Sequence, residues 1–300
     1  MNPTINQKKK IGGWLFFLFS IMLFCAQMGY FFLQSRYNVE YTDNRIFYLI
    51  NILILISLVL TIFLLFTVTK KWKMIIVSIL VVLTLLLVGL MINHSKRINH
   101  IISISSDFKN VLVIKENRAT GQASYYRTYY GIFARPKEMF PYRTIGEFKV
   151  KWLEKDIVAV TYKDSIHSIH QYIGTYGDRN EGSYSYVGPS IHGQWQTESV
   201  RLISDSEGIT IDNNGEVEIY DWKNIVQFGT IAVVLMKNNE ATLMNNNEAE
   251  WTIALNENFN SNSNAAIPPS GEITLYKATM DIIEPLTLVY EGEADAQPKQ

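Results

Sequence analysis

Residues 46–68 read IFYLINILILISLVLTIFLLFTV, twenty-three consecutive positions without a charged side chain. At about 1.5 Å per residue a helix of this length reaches about 34 Å, enough to cross the hydrocarbon core of a bilayer with some tilt. The same arithmetic applies on either side, to IGGWLFFLFSIMLFCAQMGYFFL at 11–33 and MIIVSILVVLTLLLVGLMI at 74–92. Residues 11–92 carry five Lys/Arg and two acids among 82 positions, whereas the remaining 218 residues carry 22 Lys/Arg and 26 Asp/Glu. The chain is therefore expected to divide into a three-helix transmembrane region (11–33, 46–68 and 74–92) and a soluble remainder. A nucleic-acid binder relying on large positive charge and a disulfide scaffold are both excluded, the latter because the single cysteine, Cys25, lies in an apolar run. The first span is long for a signal peptide and lacks a small-x-small exit. Leu23 and Phe24 precede Cys25 where a lipobox needs a small residue, so the span is expected to stay uncleaved.

Basic residues in short flanks resist translocation, which makes their placement a guide to orientation. Lys8, Lys9 and Lys10 precede the first span, and Lys70, Lys71 and Lys73 fill the connection between the second and third, with no acid at either place. The 34–45 loop instead balances Arg36 and Arg45 against Glu40 and Asp43. This predicts a multi-pass protein of the cell membrane with a cytoplasmic tail at 1–10 and residues 93–300 outside. Those outer residues comprise a juxtamembrane linker at 93–109, a domain at 110–290 and a disordered tail at 291–300. None of the three spans contains an Asp, Glu, Lys, Arg or His, so the usual sign of a pump or proton relay is missing. Gln27 and Asn51, the most polar groups inside the spans, are expected to hydrogen-bond between neighbouring helices.

The opening Lys10-Ile11-Gly12-Gly13-Trp14-Leu15 resembles that of uncharacterised polytopic membrane proteins of Gram-positive bacteria. The resemblance covers fewer than ten residues; it implies a bacterial source and no activity.

From residue 110 onward the apolar period is two. Phe148, Val150 and Trp152 alternate with Glu147, Lys149 and Lys151, as on a strand with one wet face, and IVAVTY at 157–162 follows after a tight turn. Similar runs occur at 111–116, 123–130, 170–176, 199–204, 230–236, 251–256, 272–277 and 286–290. Asn214-Gly215, between GITID and EVEIY, is a strong hairpin signal, and only Asp221–Phe228 suggests a short helical turn. The expected fold is an α-helical membrane anchor followed by an all-β exported domain, sandwich or barrel-like. LMKNNEAT at 235–242 is repeated as LMNNNEAE at 243–250, read as a duplication lengthening a hairpin tip.

His167 and His170 form an H-x-x-H within a strand pattern, where positions three apart face opposite ways, so no metal site is expected; nor is a cofactor. There is no exported cysteine, no G-x-S-x-G and no S-x-x-K. Asp178 and Glu181, in a loop with Tyr184, His192 and Trp195, form the one carboxylate-and-aromatic group that an exported hydrolase could use as a pocket. The segment 125–143 packs seven aromatics together with Arg127, Arg135, Lys137 and Arg143. Tyrosine and arginine are favoured at binding hot spots, which makes Phe133, Arg135, Phe140 and Tyr142 the candidate contact surface, while Trp152 is expected in the core. Residues 93–300 carry 19 Lys/Arg and 26 Asp/Glu, a net charge of −7, which argues against adhesion to anionic surfaces through bulk charge. The expected role is accordingly binding of a membrane or surface protein or peptide, with no nucleic acid involved. An exported hydrolase, or an accessory subunit of a transport or sensing complex, is the alternative.

Overall fold

In a computed structural model, helix α1 (Pro3–Tyr37) lies along α2 (Arg45–Leu65), and α3 (Lys70–Arg97) follows after a four-residue connection. The structure describes residues 3–177, 186–238, 247–259 and 270–293. All three helices are long and apolar enough to cross a membrane. Lipid removes the hydrophobic drive for helix association, so close packing and hydrogen bonds must hold the pair together. The α1–α2 seam is built that way: Gly13, Ser20 and Gln27, seven residues apart, are buried on α1, and Ile54, Ser57 and Thr61 on α2. A methyl group at Gly13 would lie 2.6 Å from a Leu65 methyl, which gives the Gly-Gly of the opening motif a packing reason. Gln27 Nε2 donates to the Phe47 carbonyl across the seam, as expected, whereas Asn51 Nδ2 donates to the same carbonyl within its own helix. On α3 no residue is buried.

Two compact units divide the chain, Met1–Ile102 with Val113–Met139, and Ser103–Leu112 with Phe140–Gln300. Beside its helices the first unit contains most of a five-stranded half-barrel sheet in the order β1-β5-β4-β3-β2. Its strands are β1 (Glu40–Tyr41), β2 (Ile98–Ile104), β3 (Val111–Asn117), β4 (Gln122–Tyr129) and β5 (Phe133–Met139). Three of these depart from expectation. Residues 93–109, expected as a linker, hold the end of α3 and β2, while β1 arises from the short loop between α1 and α2. FARPKEM at 133–139 carries too many polar residues to alternate, yet it forms β5, because β4 and β1 pair with its two edges.

The second unit begins with a three-stranded sheet of β6 (Thr144–Glu154), β7 (Ile157–Asp164) and β8 (Ile169–Thr175). A single helical turn, α4 (Val187–Ser190), precedes nine strands: β9 (Gly193–Gln196), β10 (Val200–Ser204), β11 (Gly208–Asn213), β12 (Glu216–Asp221), β13 (Ile225–Phe228), β14 (Ala232–Asn238), β15 (Asn247–Leu255), β16 (Glu272–Lys277) and β17 (Leu286–Gly292). Apart from β12 and β13, strands adjacent in sequence pair with one another, and β17 returns to pair with β9, so the meander curls into a nearly closed barrel. Closure stops between β12 and β13, which are joined by a 3-10 turn at Trp222–Asn224 rather than by ladder hydrogen bonds. The helical turn expected over Asp221–Phe228 is thus only its first part. Asn214 and Gly215, at φ 54° and 90°, make the expected hairpin turn between β11 and β12.

Inside the barrel lie Trp195, Leu202, Ile211, Val233, Leu235, Ile253 and Leu275. On the opposite face of β14 and β15, Ala232, Val234 and Ala254 pack with Ile157, Ala159 and Ile173 of the three-stranded sheet. Burial on both faces explains why TIAVVLM at 230–236 shows no polar alternation. The duplicated segment is more than a hairpin tip. Met236 to Asn238 pair with Asn247 to Ala249, so both ends of the repeat are strand, while its middle, 239–246, lies outside the described residues.

Candidate functional site

Within the first unit the residue of greatest chemical interest is Lys115. VLVIKE places it on the same strand face as Val111 and Val113, and it is only 5% exposed. A buried ammonium must be paired and hydrogen-bonded. Its three N–H groups donate to Glu40 Oε2 at 2.7 Å, the Tyr41 carbonyl at 2.7 Å and Asn44 Oδ1 at 2.8 Å, and the Tyr126 ring lies 4.8 Å from the nitrogen. All three hydrogen-bond partners come from the short loop between α1 and α2, which is thereby latched to the sheet. Burial pulls the Lys115 pKa below its ordinary value, with Glu40 opposing that shift. Burial and Glu40 together push Tyr126 up to about 12.

Because Asn44 Oδ1 accepts from the ammonium, Asn44 Nδ2 is the donor to His94 Nε2 at 2.8 Å. That ring nitrogen therefore carries no proton, and α3 is tied to the same loop. On β2, neither ring nitrogen of His100 has a hydrogen-bond partner among the described residues. Burial, then Lys115, push its pKa down to about 4. Tyr30, Phe31, Gln34, Glu40, Phe47 and Tyr48, with Asn44 and His94, line a pocket of about 260 Å³ beside this cluster. None of these groups was expected from sequence to form a site. The one available signal was a lysine completing an apolar strand face.

The four candidate contact residues divide between the two units. Phe133 is half-buried and stacks on Tyr41 at 5.4 Å, and Arg135 is exposed. Phe140 does not form a surface: it is 2% exposed and lies 4.9 Å from both Tyr162 and Tyr172. Tyr142 is half-buried and stacks on His170 at 3.8 Å. The irregular FPYR segment reads as surface because its apolar residues serve a neighbouring sheet rather than a strand of their own. Trp152, expected in the core, is only half-buried, its ring tilted 33° to that of Tyr176 at 5.6 Å and its Nε1 donating to Ser103 Oγ at 2.9 Å.

His167 stands exposed in the turn between β7 and β8 at φ 67°, whereas His170 is buried. His170 Nε2 lies 3.0 Å from Asp164 Oδ2, and Asp164 Oδ1 accepts from the Ile166 and Ser168 amides, so this pair closes a hairpin. Of the hydrolase candidates, Asp178, Glu181 and Tyr184 lie outside the described residues. Trp195 is fully buried in the barrel and donates to the Ile191 carbonyl, so it offers no platform for a sugar, and His192 is exposed near Trp222.

Tyr220 Oη donates to Glu218 Oε2 at 2.9 Å and Trp251 Nε1 to the same oxygen at 2.6 Å, joining β12 to β15. Burial and the carboxylates of Glu250 and Glu218 raise the Tyr220 pKa. The backbone of β12 pairs only with β11, and its outward residues Val217 and Ile219 are 59% and 72% exposed.

This chain matches no protein-family profile, no curated protein and no solved structure.

Proposed function

We propose that this chain is a membrane-anchored binding protein whose β domain captures an extended segment of a protein or peptide partner outside the cell. The observation that carries this reading is the free edge of β12. An unpaired strand edge presents a row of N–H and C=O groups that an added strand can satisfy, and alternate side chains supply contacts. Native edges are usually guarded by lysine, proline or a bulge. Here Val217 and Ile219 stand outward instead, between Glu216 and Asp221. A second copy paired antiparallel on the same edge would set Glu216 opposite Asp221 at both ends, which like charges disfavour. An extended segment of alternating apolar and basic residues suits the edge better.

The bilayer is the other partner, through α1–α3. Basic residues before the first span and between the second and third support a cytoplasmic N-terminus, and the 34–45 loop, which joins the sheet, belongs on the opposite side.

A photo-crosslinking amino acid at Ile219 in intact cells tests the reading. It should trap a partner that Val217→Lys releases, with folding retained because that side chain faces outward. Equal capture by the Val217→Lys protein would exclude the β12 edge as the binding site.

A further inference from the structure

The hairpin of β4 and β5 ends in a three-residue tip, Tyr130-Gly131-Ile132. Tyr130 is 96% exposed and adopts φ 53°, a left-handed conformation that bulky residues rarely take, and Tyr129 and Ile132 beside it are also exposed. The tip is fastened to the start of a candidate span. Thr42 N donates to the Ile132 carbonyl at 2.9 Å and Thr42 Oγ1 to the same oxygen at 3.2 Å, three residues before α2 begins at Arg45.

Three residues back from the tip, Arg127 and Arg135 are direct cross-strand partners. Both are exposed, and neither guanidinium has an acidic partner among the described residues. Like charges set opposite one another on one sheet face destabilise the pairing unless an anion lies between them. Tyr129 and Phe133, the cross-strand pair two positions nearer the tip, share that face. Phe133 stacks on Tyr41, which stacks on Tyr30 of α1 at 4.2 Å and donates to Gln27 Oε1. The arginine face is thus joined to α1 through Phe133 and Tyr41, while Lys115, Tyr126 and Glu40 occupy the opposite face of the sheet.

We propose that this hairpin is a lipid-contacting foot. Tyr129, Tyr130 and Ile132 sit at the boundary between headgroups and acyl chains, where tyrosine is favoured, and Arg127 and Arg135 hold the phosphates of anionic lipids. The domain's negative total charge does not oppose this, because residues 122–139 carry three basic residues and one acid. The inference rests on α1–α3 spanning the bilayer.

The test uses the full chain in nanodiscs of phosphatidylcholine and phosphatidylglycerol, with Cys25→Ser removing the one native thiol. A nitroxide is attached at Tyr130→Cys, at Ile132→Cys or at Leu53→Cys within α2, and its collisions with oxygen and with a water-soluble nickel chelate are compared. Both hairpin sites should show an oxygen-to-nickel ratio several-fold above that of free label in buffer and below that of Leu53. Arg127→Gln/Arg135→Gln, or nanodiscs of phosphatidylcholine alone, should lower the hairpin ratios and leave Leu53 unchanged. Hairpin labels that read as water while Leu53 reads as lipid would overturn the foot and assign this face to a protein partner. If Leu53 also reads as water, the spanning reading fails and the foot with it.

Discussion

Removing the charge of Glu40 should loosen the first unit more than removing Lys115 itself. Lys115 is 5% exposed and the Glu40 side chain 31%. Glu40→Gln leaves an ammonium in the interior facing only neutral acceptors, and breaking a buried ion pair in this way costs about 3 kcal/mol or more. Lys115→Met leaves a carboxylate that water can reach, together with the Tyr41 carbonyl and Asn44 Oδ1 each short of one donor. That loss, about 1 kcal/mol for each acceptor, is partly offset by the apolar methionine among Val113 and its neighbours. The assay is hydrogen exchange of the full chain in micelles, read at the amides of Thr42, which donates to the Ile132 carbonyl, and of Glu40 and Ala134, the next hydrogen-bonding positions of the antiparallel β1–β5 pair. A change of 3 kcal/mol in local opening is a factor of about 150 in exchange. Glu40→Gln should therefore accelerate these amides by about two orders of magnitude and Lys115→Met by about tenfold. The double variant should exchange no faster than Lys115→Met, since no buried charge remains. Exchange in Lys115→Met equal to or faster than in Glu40→Gln would refute the latch, because the loop would then be held by packing and not by the ion pair.

Two further outcomes follow from burial. Phe140→Ala, removing a ring packed between Tyr162 and Tyr172, should cost about 3–5 kcal/mol in denaturant unfolding, whereas Arg135→Ala on the exposed face should stay within about 0.5 kcal/mol. His100 titrates near 4 in the folded protein against 6.5 unfolded. The unfolded state therefore binds the extra proton first, and the neutral ring's contribution, about 3 kcal/mol in full, is present above pH 6.5 and lost as pH falls from 6.5 to 4. His94, Lys115, Asp43 and Arg45 are the charged or titratable groups acting on it. His100→Leu should flatten the decline in stability over that window relative to wild type; parallel curves would show that His100 does not contribute to it.

Sequence alone determined the three apolar helices and most of the strands, because both follow from local rules. Residues 46–68 have no charge to place in water, and the alternation in EFKVKW or the turn at Asn214-Gly215 needs no distant partner to be read. Elements whose reason for forming lies elsewhere in the chain were settled only by the tertiary structure. Glu40–Tyr41 is a strand because β5 offers it an edge, and FARPKEM is a strand because β4 and β1 take its two sides. Phe140 is buried and Trp152 only half-buried for the same reason, since burial depends on which sheet lies opposite and not on local pattern. The latch shows this most clearly. Lys115 lies 75 positions from Glu40, 74 from Tyr41 and 71 from Asn44, separations that carry no periodic signal. The interior is what brings them together, because an ammonium there must find its counter-charge and acceptors wherever the fold can supply them.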